Sequence, residues 1–166
     1  AIICSSGLSC DIYQDEKAKT VHSQYGLQMA ELPHDKLLKR PLSKNNVVDQ
    51  IKCADIVIWD EISMSTRRIL EIVNRIHHFV LLSNKPFGGV QFILVGDFRQ
   101  LSPIASAIDA GHFAFLASIF NVVFPHRFEL TTIIRHNDSQ KALWAALEPS
   151  GLLARLQKAL SKMAKV

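Results

Sequence analysis

Three times along the chain, a short unbroken apolar run stops at polar, chemically loaded residues. Ala1–Cys4 leads into Ser5-Ser6-Gly7, Ile56–Trp59 into Asp60-Glu61, and Phe92–Val95 into Gly96-Asp97. Runs this short fall well below the ~18 residues that span a bilayer, and they fit strands buried on both faces, as in parallel sheets. Between and after them the pattern turns helical. From Ser65, the expected N-cap, Ile69, Ile72, Val73, Ile76 and Val80 recur at three- and four-residue steps. Leu8–Ile12 suits a short helix. Asp138 is expected to cap another that carries Leu143, Ala146 and Leu147 and ends at Pro149-Ser150-Gly151, with a further helix over Leu152–Lys165. Strands alternating with helices predict an α/β fold with a mainly parallel sheet, whose ligands sit beyond the carboxyl ends of the strands. All three loaded segments fall at such ends, so a single site is expected.

At 166 residues, 48% hydrophobic and 20% charged, the chain has the profile of one globular domain able to bury a core without a disulfide or metal staple. Cys4, Cys10 and Cys53 leave an odd thiol and no C-x-x-C spacing, which predicts reduced thiols in an intracellular setting. No secretory leader pattern is present. Ala1 already lies inside an expected strand, which predicts a piece of something longer. The net charge of +4 arises in residues 111–166, which hold seven basic and three acidic residues. Such an excess permits contact with nucleic acid, and a solvated helix face gives the same count.

Asp60-Glu61 after Ile56–Trp59 has the form of a Walker B segment. A strand that ends rigidly on two acids aims both carboxylates at one spot. There the first can hold Mg²⁺ through water and the second can polarise an attacking water. An acidic pair capping the following helix would look the same. In Gly96-Asp97-Phe98-Arg99-Gln100-Leu101, preceded by Pro86-Phe87-Gly88-Gly89, Arg99 and Gln100 could report on a terminal phosphate. Alternatively, Asp97 caps an ordinary turn that Pro103 ends. Ser5-Ser6-Gly7, with Thr20-Val21-His22-Ser23 downstream, offers hydroxyls and an imidazole suited to phosphate, or simple N-caps and a partly buried histidine. Arg135 after Ile133-Ile134 fits an arginine finger or a surface pair with Asp138. His77 and His78 are adjacent, roughly 100° apart on a helix, and make poor joint metal ligands. No G-x-S-x-G elbow, H-E-x-x-H or RNP-type aromatic motif occurs. Phe113, Phe115 and Phe120 are expected in the core.

Together these segments resemble the Pif-one-like DNA helicases, superfamily-one enzymes related to RecD and to the helicases of Helitron transposons. Asp60-Glu61-Ile62-Ser63-Met64 matches that family's Walker B signature. Pro86-Phe87-Gly88-Gly89-Val90-Gln91 running into Gly96-Asp97-Phe98-Arg99-Gln100-Leu101-Ser102-Pro103 matches its motif III region. Ser6-Gly7 with Thr20-Val21-His22-Ser23-Gln24-Tyr25-Gly26 is similar to motif Ia, and Leu130 through Arg135 to motif IV.

The resemblance implies that residues 1–147 form a RecA-like P-loop NTPase motor domain with a mainly parallel sheet, incomplete at its N-terminus, and that 148–166 are an unassigned helical tail. It also implies ATP-driven, 5′-to-3′ unwinding of DNA in the nucleus, serving repair, recombination and telomere maintenance. By position, Asp60 would hold Mg²⁺, Glu61 would be the catalytic base, Gln100 would sense the γ-phosphate of ATP, and Arg135 would stabilise its developing charge. Ser6, His22 and Ser23 would touch the backbone of single-stranded DNA at a duplex junction. The chain also departs from the family. No Gly-Lys occurs in it, so the G-x-x-x-x-G-K-[ST] loop is expected before Ala1, and motifs V and VI of a second motor domain are absent. Ser9 and Cys10 replace small residues, and His136 replaces a glutamine. A fragment inactive on its own is therefore expected. The alternatives are a transposon-derived remnant that at most binds DNA or a partner, and a different P-loop ATPase such as a clamp loader. The Pro86–Pro103 stretch argues against the latter.

Overall fold

The computed structural model describes residues 1–13, 17–27 and 41–130. Ala1–Pro125 form one compact unit, and a second begins at His126. The apolar runs are strands: β1 is Ile2–Cys4, β3 is Ile56–Asp60 and β4 is Gln91–Leu94. A two-residue strand, β2 (Lys19–Thr20), joins them. All pairings are parallel, in the order β2-β1-β3-β4. The register sets Cys4 against both Thr20 and Asp60, and Trp59 against Leu94. All four strands therefore finish along one edge of the sheet.

Helices follow the strands. α1 (Gly7–Cys10) continues into a 3₁₀ turn at Asp11–Tyr13, and α2 (Val21–Gln24) follows β2 directly. α3 (Asn45–Lys52) precedes β3, α4 (Arg67–Leu81) precedes β4, and α5 is the short Phe120–Val123. The α4 stripe of Ile69, Ile72, Val73, Ile76 and Val80 is buried, as its spacing predicts. Each fully buried aliphatic side chain there is worth about 1.5–3 kcal/mol against exposure. The stripe shares one core with Ile3, Val57, Trp59 and Phe92 of the sheet.

Three expectations need correction. β1 is buried on both faces, with Ile3 and Cys4 both fully covered, but β3 and β4 are not: Val57, Trp59 and Phe92 are buried, while Ile56 and Ile93 on the other face are 43% and 42% exposed. Unbroken apolar sequence does not reveal how fully a second face is covered. The α4 N-cap is Thr66 rather than Ser65. Thr66 Oγ1 accepts from the Ile69 amide at 3.2 Å, whereas the Ser65 hydroxyl meets Ser5 Oγ at 2.7 Å. Phe120 is buried as expected. Phe113 and Phe115 are only half-buried, stacked at 5.1 Å and both edge-on to Phe98. Arg135 and the helices expected from Asp138 and over Leu152–Lys165 lie outside the described residues.

Candidate functional site

The common edge where the strands end is where Asp60 and Glu61 sit, both half-buried. Asp60 is the last residue of β3, and its carbonyl accepts from the Ser5 amide at 3.1 Å, which fastens the ends of β1 and β3 together. Its carboxylate is held from two sides: Oδ1 accepts from the Glu61 amide at 2.9 Å, and Oδ2 from the Tyr13 hydroxyl at 2.9 Å. That bond, with burial and the Asp60 charge, pushes the Tyr13 phenol up to about 12, so it remains a donor at neutral pH.

Glu61 turns the chain with left-handed backbone, φ 54° and ψ 41°. A residue with a Cβ adopts this conformation at a cost of about 1–3 kcal/mol, and such costs concentrate at functional sites. The turn is held by the Ile62 amide donating to Val95 O at 3.0 Å and the Met64 amide donating to Glu61 O at 3.0 Å. Neither acid caps α4, because Thr66 does so. The helix-capping alternative thus fails for α4, while Glu61 stands at the N-cap position of the 3₁₀ turn Ile62–Met64 without a side-chain capping bond.

Ser5 ties this corner together. Its hydroxyl accepts from Trp59 Nε1 at 3.1 Å and meets Ser65 Oγ, linking β1, β3 and the approach to α4. Ser6 caps α1, accepting from the Ser9 amide at 3.2 Å. Thr20 caps α2 in the same way, through Ser23 at 3.1 Å. These are the plain roles that the sequence offered beside phosphate contact. His22 and Ser23 are exposed on α2.

After β4 the backbone passes close to the acidic turn. A Cβ on Gly96 would lie 3.0 Å from the Ile62 amide nitrogen and 3.1 Å from Ile62 Cγ2, so only glycine fits without displacement. Asp97 then organises a tight turn, accepting from the Arg99 amide at 2.9 Å and from Gln100 Nε2 at 3.0 Å. Gln100 is exposed in the turn after β4, with its amide engaged by Asp97.

At the amino end of β4, sequence inspection missed a buried support. Phe87 has φ 48° and sits in the Pro86–Gly89 turn. Asn74 Oδ1 accepts its amide at 2.7 Å, and its ring stacks on Phe92 with centroids 4.0 Å apart. The α4 helix thus fixes the loop that leads into β4. Nothing in the spacing of Asn74 on a buried helix face singles it out.

The donor set can be tested against Mg²⁺. Asp60 and Glu61 present hard carboxylate oxygens at one strand end, and no ion pair to either occurs among the described residues. One or two carboxylates, completed by water and substrate phosphates, is the set that Mg²⁺ accepts. The residues fit that ion. Among the described residues no cluster of three or more potential metal-ligating side chains occurs. Cys4, Cys10 and Cys53 are free thiols. Burial, Cys10 beside it and the nearby acids push the Cys4 thiol up to about 12.

Comparison with known proteins gives a consistent result. The family model for PIF1-like helicase matches residues 1–146. The ATP-dependent DNA helicase PIF1 of Emericella nidulans is 27% identical over 144 residues, covering 86% of this chain and 19% of that protein. The crystal structure of Pif1 helicase from Candida albicans superposes with a TM-score of 0.75 at 29% identity, over 85% of this chain and 31% of that one. The Bacteroides Pif1 helicase in complex with ADP-AlF3 and ssDNA superposes with a TM-score of 0.66 at 27% identity, over 82% and 33%. The chain spans about one fifth of the length of the curated relatives it matches.

Proposed function

This chain belongs to the PIF1-like helicase family, and from that premise we propose that it supplies the hydrolytic strand ends of an ATP-dependent DNA helicase. One observation carries the proposal. Two carboxylates without a described cationic partner stand at the end of β3, on the edge where β1, β2 and β4 also finish.

In this proposal Asp60 would hold Mg²⁺, which would supply charge neutralisation to the phosphates of ATP. Glu61 accepts the proton of the attacking water, from a backbone turn that fixes where its carboxylate starts. Gln100 reports on the γ-phosphate. One Nε2–H of its amide is engaged by Asp97, which leaves the second N–H and Oε1 for that contact. Arg135 stabilises the charge developing on the transferred group. Ser6, His22 and Ser23 contact the backbone of single-stranded DNA. His22 and Ser23 are exposed beside the strand-end edge, and the Bacteroides relative was crystallised with ssDNA and ADP-AlF3.

Unwinding with 5′-to-3′ polarity, preference for a duplex junction, a nuclear location, and service in repair, recombination and telomere maintenance belong to the same proposal. So does the division into a motor domain over 1–147 and a tail over 148–166. No helix among the described residues is long and apolar enough to cross a membrane.

The test is DNA-stimulated ATP hydrolysis by the gene product that carries this chain, with Glu61→Gln beside it. Hydrolysis is expected to fall at least ~100-fold in the variant while single-stranded DNA is still bound. Undiminished hydrolysis would remove Glu61 from its role.

A further inference from the structure

The hydrogen bond from Tyr13 to Asp60 has no counterpart in the roles assigned so far. We propose that Tyr13 is a positioning residue for the Asp60 carboxylate, and through it for the divalent cation. The proposal rests on the reading of Asp60 as the Mg²⁺-holding acid.

Tyr13 closes the 3₁₀ turn that follows α1, and β1 lies directly beside β3 with Cys4 opposite Asp60. The chain therefore leaves β1, turns through α1, and returns a phenol to the end of the neighbouring strand. Tyr13 Oη donates to Oδ2 while the Glu61 amide donates to Oδ1, both at 2.9 Å. Two donors on opposite oxygens fix the plane of the carboxylate as well as its position. A one-sided contact would leave that plane free to rotate. The phenol is also half-buried, so the bond is partly shielded from competing water.

The consequence follows from how Mg²⁺ binds. The ion dehydrates reluctantly and keeps several of its waters. A carboxylate whose two oxygens already accept from the protein suits contact through those waters, since its remaining lone pairs keep fixed directions. Partners that orient a ligand in this way typically govern about 10–100-fold in metal affinity. The Glu61 amide is backbone and is kept by any residue except proline. Tyr13 is the side-chain element of the clamp, so it is the part that substitution can remove.

The chain contains two tyrosines, Tyr13 and the fully buried Tyr25, which makes the contact directly observable. With tyrosine labelled at Cζ by carbon-13 in the gene product, Tyr13→Phe and Tyr25→Phe each identify one signal by its loss. Asp60→Asn should move the Tyr13 signal and leave that of Tyr25 in place. Mn²⁺, used as the probe, should broaden the Tyr13 signal at lower concentration than the Tyr25 signal. By electron paramagnetic resonance, Tyr13→Phe should raise the Mn²⁺ concentration for half-saturation about tenfold. A Tyr13 signal indifferent to Asp60→Asn would overturn the proposal. So would unchanged Mn²⁺ affinity in Tyr13→Phe alongside weakened affinity in Asp60→Asn, and the reading of Asp60 would then stand. Affinity unchanged in Asp60→Asn would overturn both.

Discussion

The Tyr25 hydroxyl lies 2.9 Å from His77 Nε2, with both side chains fully buried. This bond joins the end of the Thr20–Tyr25 segment to the middle of α4, across 52 residues of sequence. The His77 ring also meets Phe92 edge-on at 5.2 Å and Phe87 at 6.2 Å. One imidazole thus connects the segment bearing His22 and Ser23, the α4 helix and the loop entering β4.

Stability should therefore depend on pH. Burial, with His78 nearby, lowers His77 from 6.5 to about 4. Between those values the unfolded chain binds the proton and the folded chain does not. Stability is fully present above about pH 6.5 and is lost as the pH falls toward 4, by about 3 kcal/mol in total. Urea unfolding followed from pH 7 to pH 4 should show that slope, and His77→Gln should flatten it. An equal slope in the variant would place the effect elsewhere.

Removing the partner gives a second expectation. Tyr25→Phe leaves His77 Nε2 buried without its hydroxyl, at a cost of about 1–3 kcal/mol. Thermal unfolding at pH 7.5 should register it as a lowered midpoint. A midpoint equal to that of the unaltered chain would mean that the bond contributes nothing.

Asn74→Ala removes the acceptor of the Phe87 amide, at a site where Phe87 already holds left-handed backbone. The expected loss is again about 1–3 kcal/mol, with amide exchange accelerated across Pro86–Gly89. Exchange unchanged in that turn would show that the ring stack on Phe92 suffices.

Gly96→Ala tests the close approach of the segment after β4 to the acidic turn. Its Cβ would press on the Ile62 amide and side chain, one residue beyond Glu61. DNA-stimulated hydrolysis by the gene product should fall at least tenfold while circular dichroism stays unchanged. Full activity would show that the acidic turn tolerates displacement.

What sequence inspection could and could not reach follows from range. Ile56–Trp59 and Phe92–Val95 reveal their strands because short apolar runs bounded by polar residues admit few other structures, and α4 reveals itself by periodicity. β2 escaped notice because Lys19 and Thr20 carry no apolar pattern. The shift of the cap from Ser65 to Thr66 reflects two adjacent hydroxyls of equal local merit, one of which meets Ser5, the residue just after β1. Asp60 and Glu61 were legible as a strand-end pair. The contacts that shape them, Tyr13 on Asp60 and Gly96 against Ile62, arise only once β1, β3 and β4 lie side by side.

The central claim is that Glu61 is the base of an ATP-hydrolysing site, and its most direct measurement is single-turnover ATP hydrolysis on single-stranded DNA by the gene product and its Glu61→Gln variant. The account predicts DNA affinity within about twofold and a hydrolysis rate reduced at least ~100-fold. A variant that binds DNA and hydrolyses ATP at the unaltered rate would contradict it.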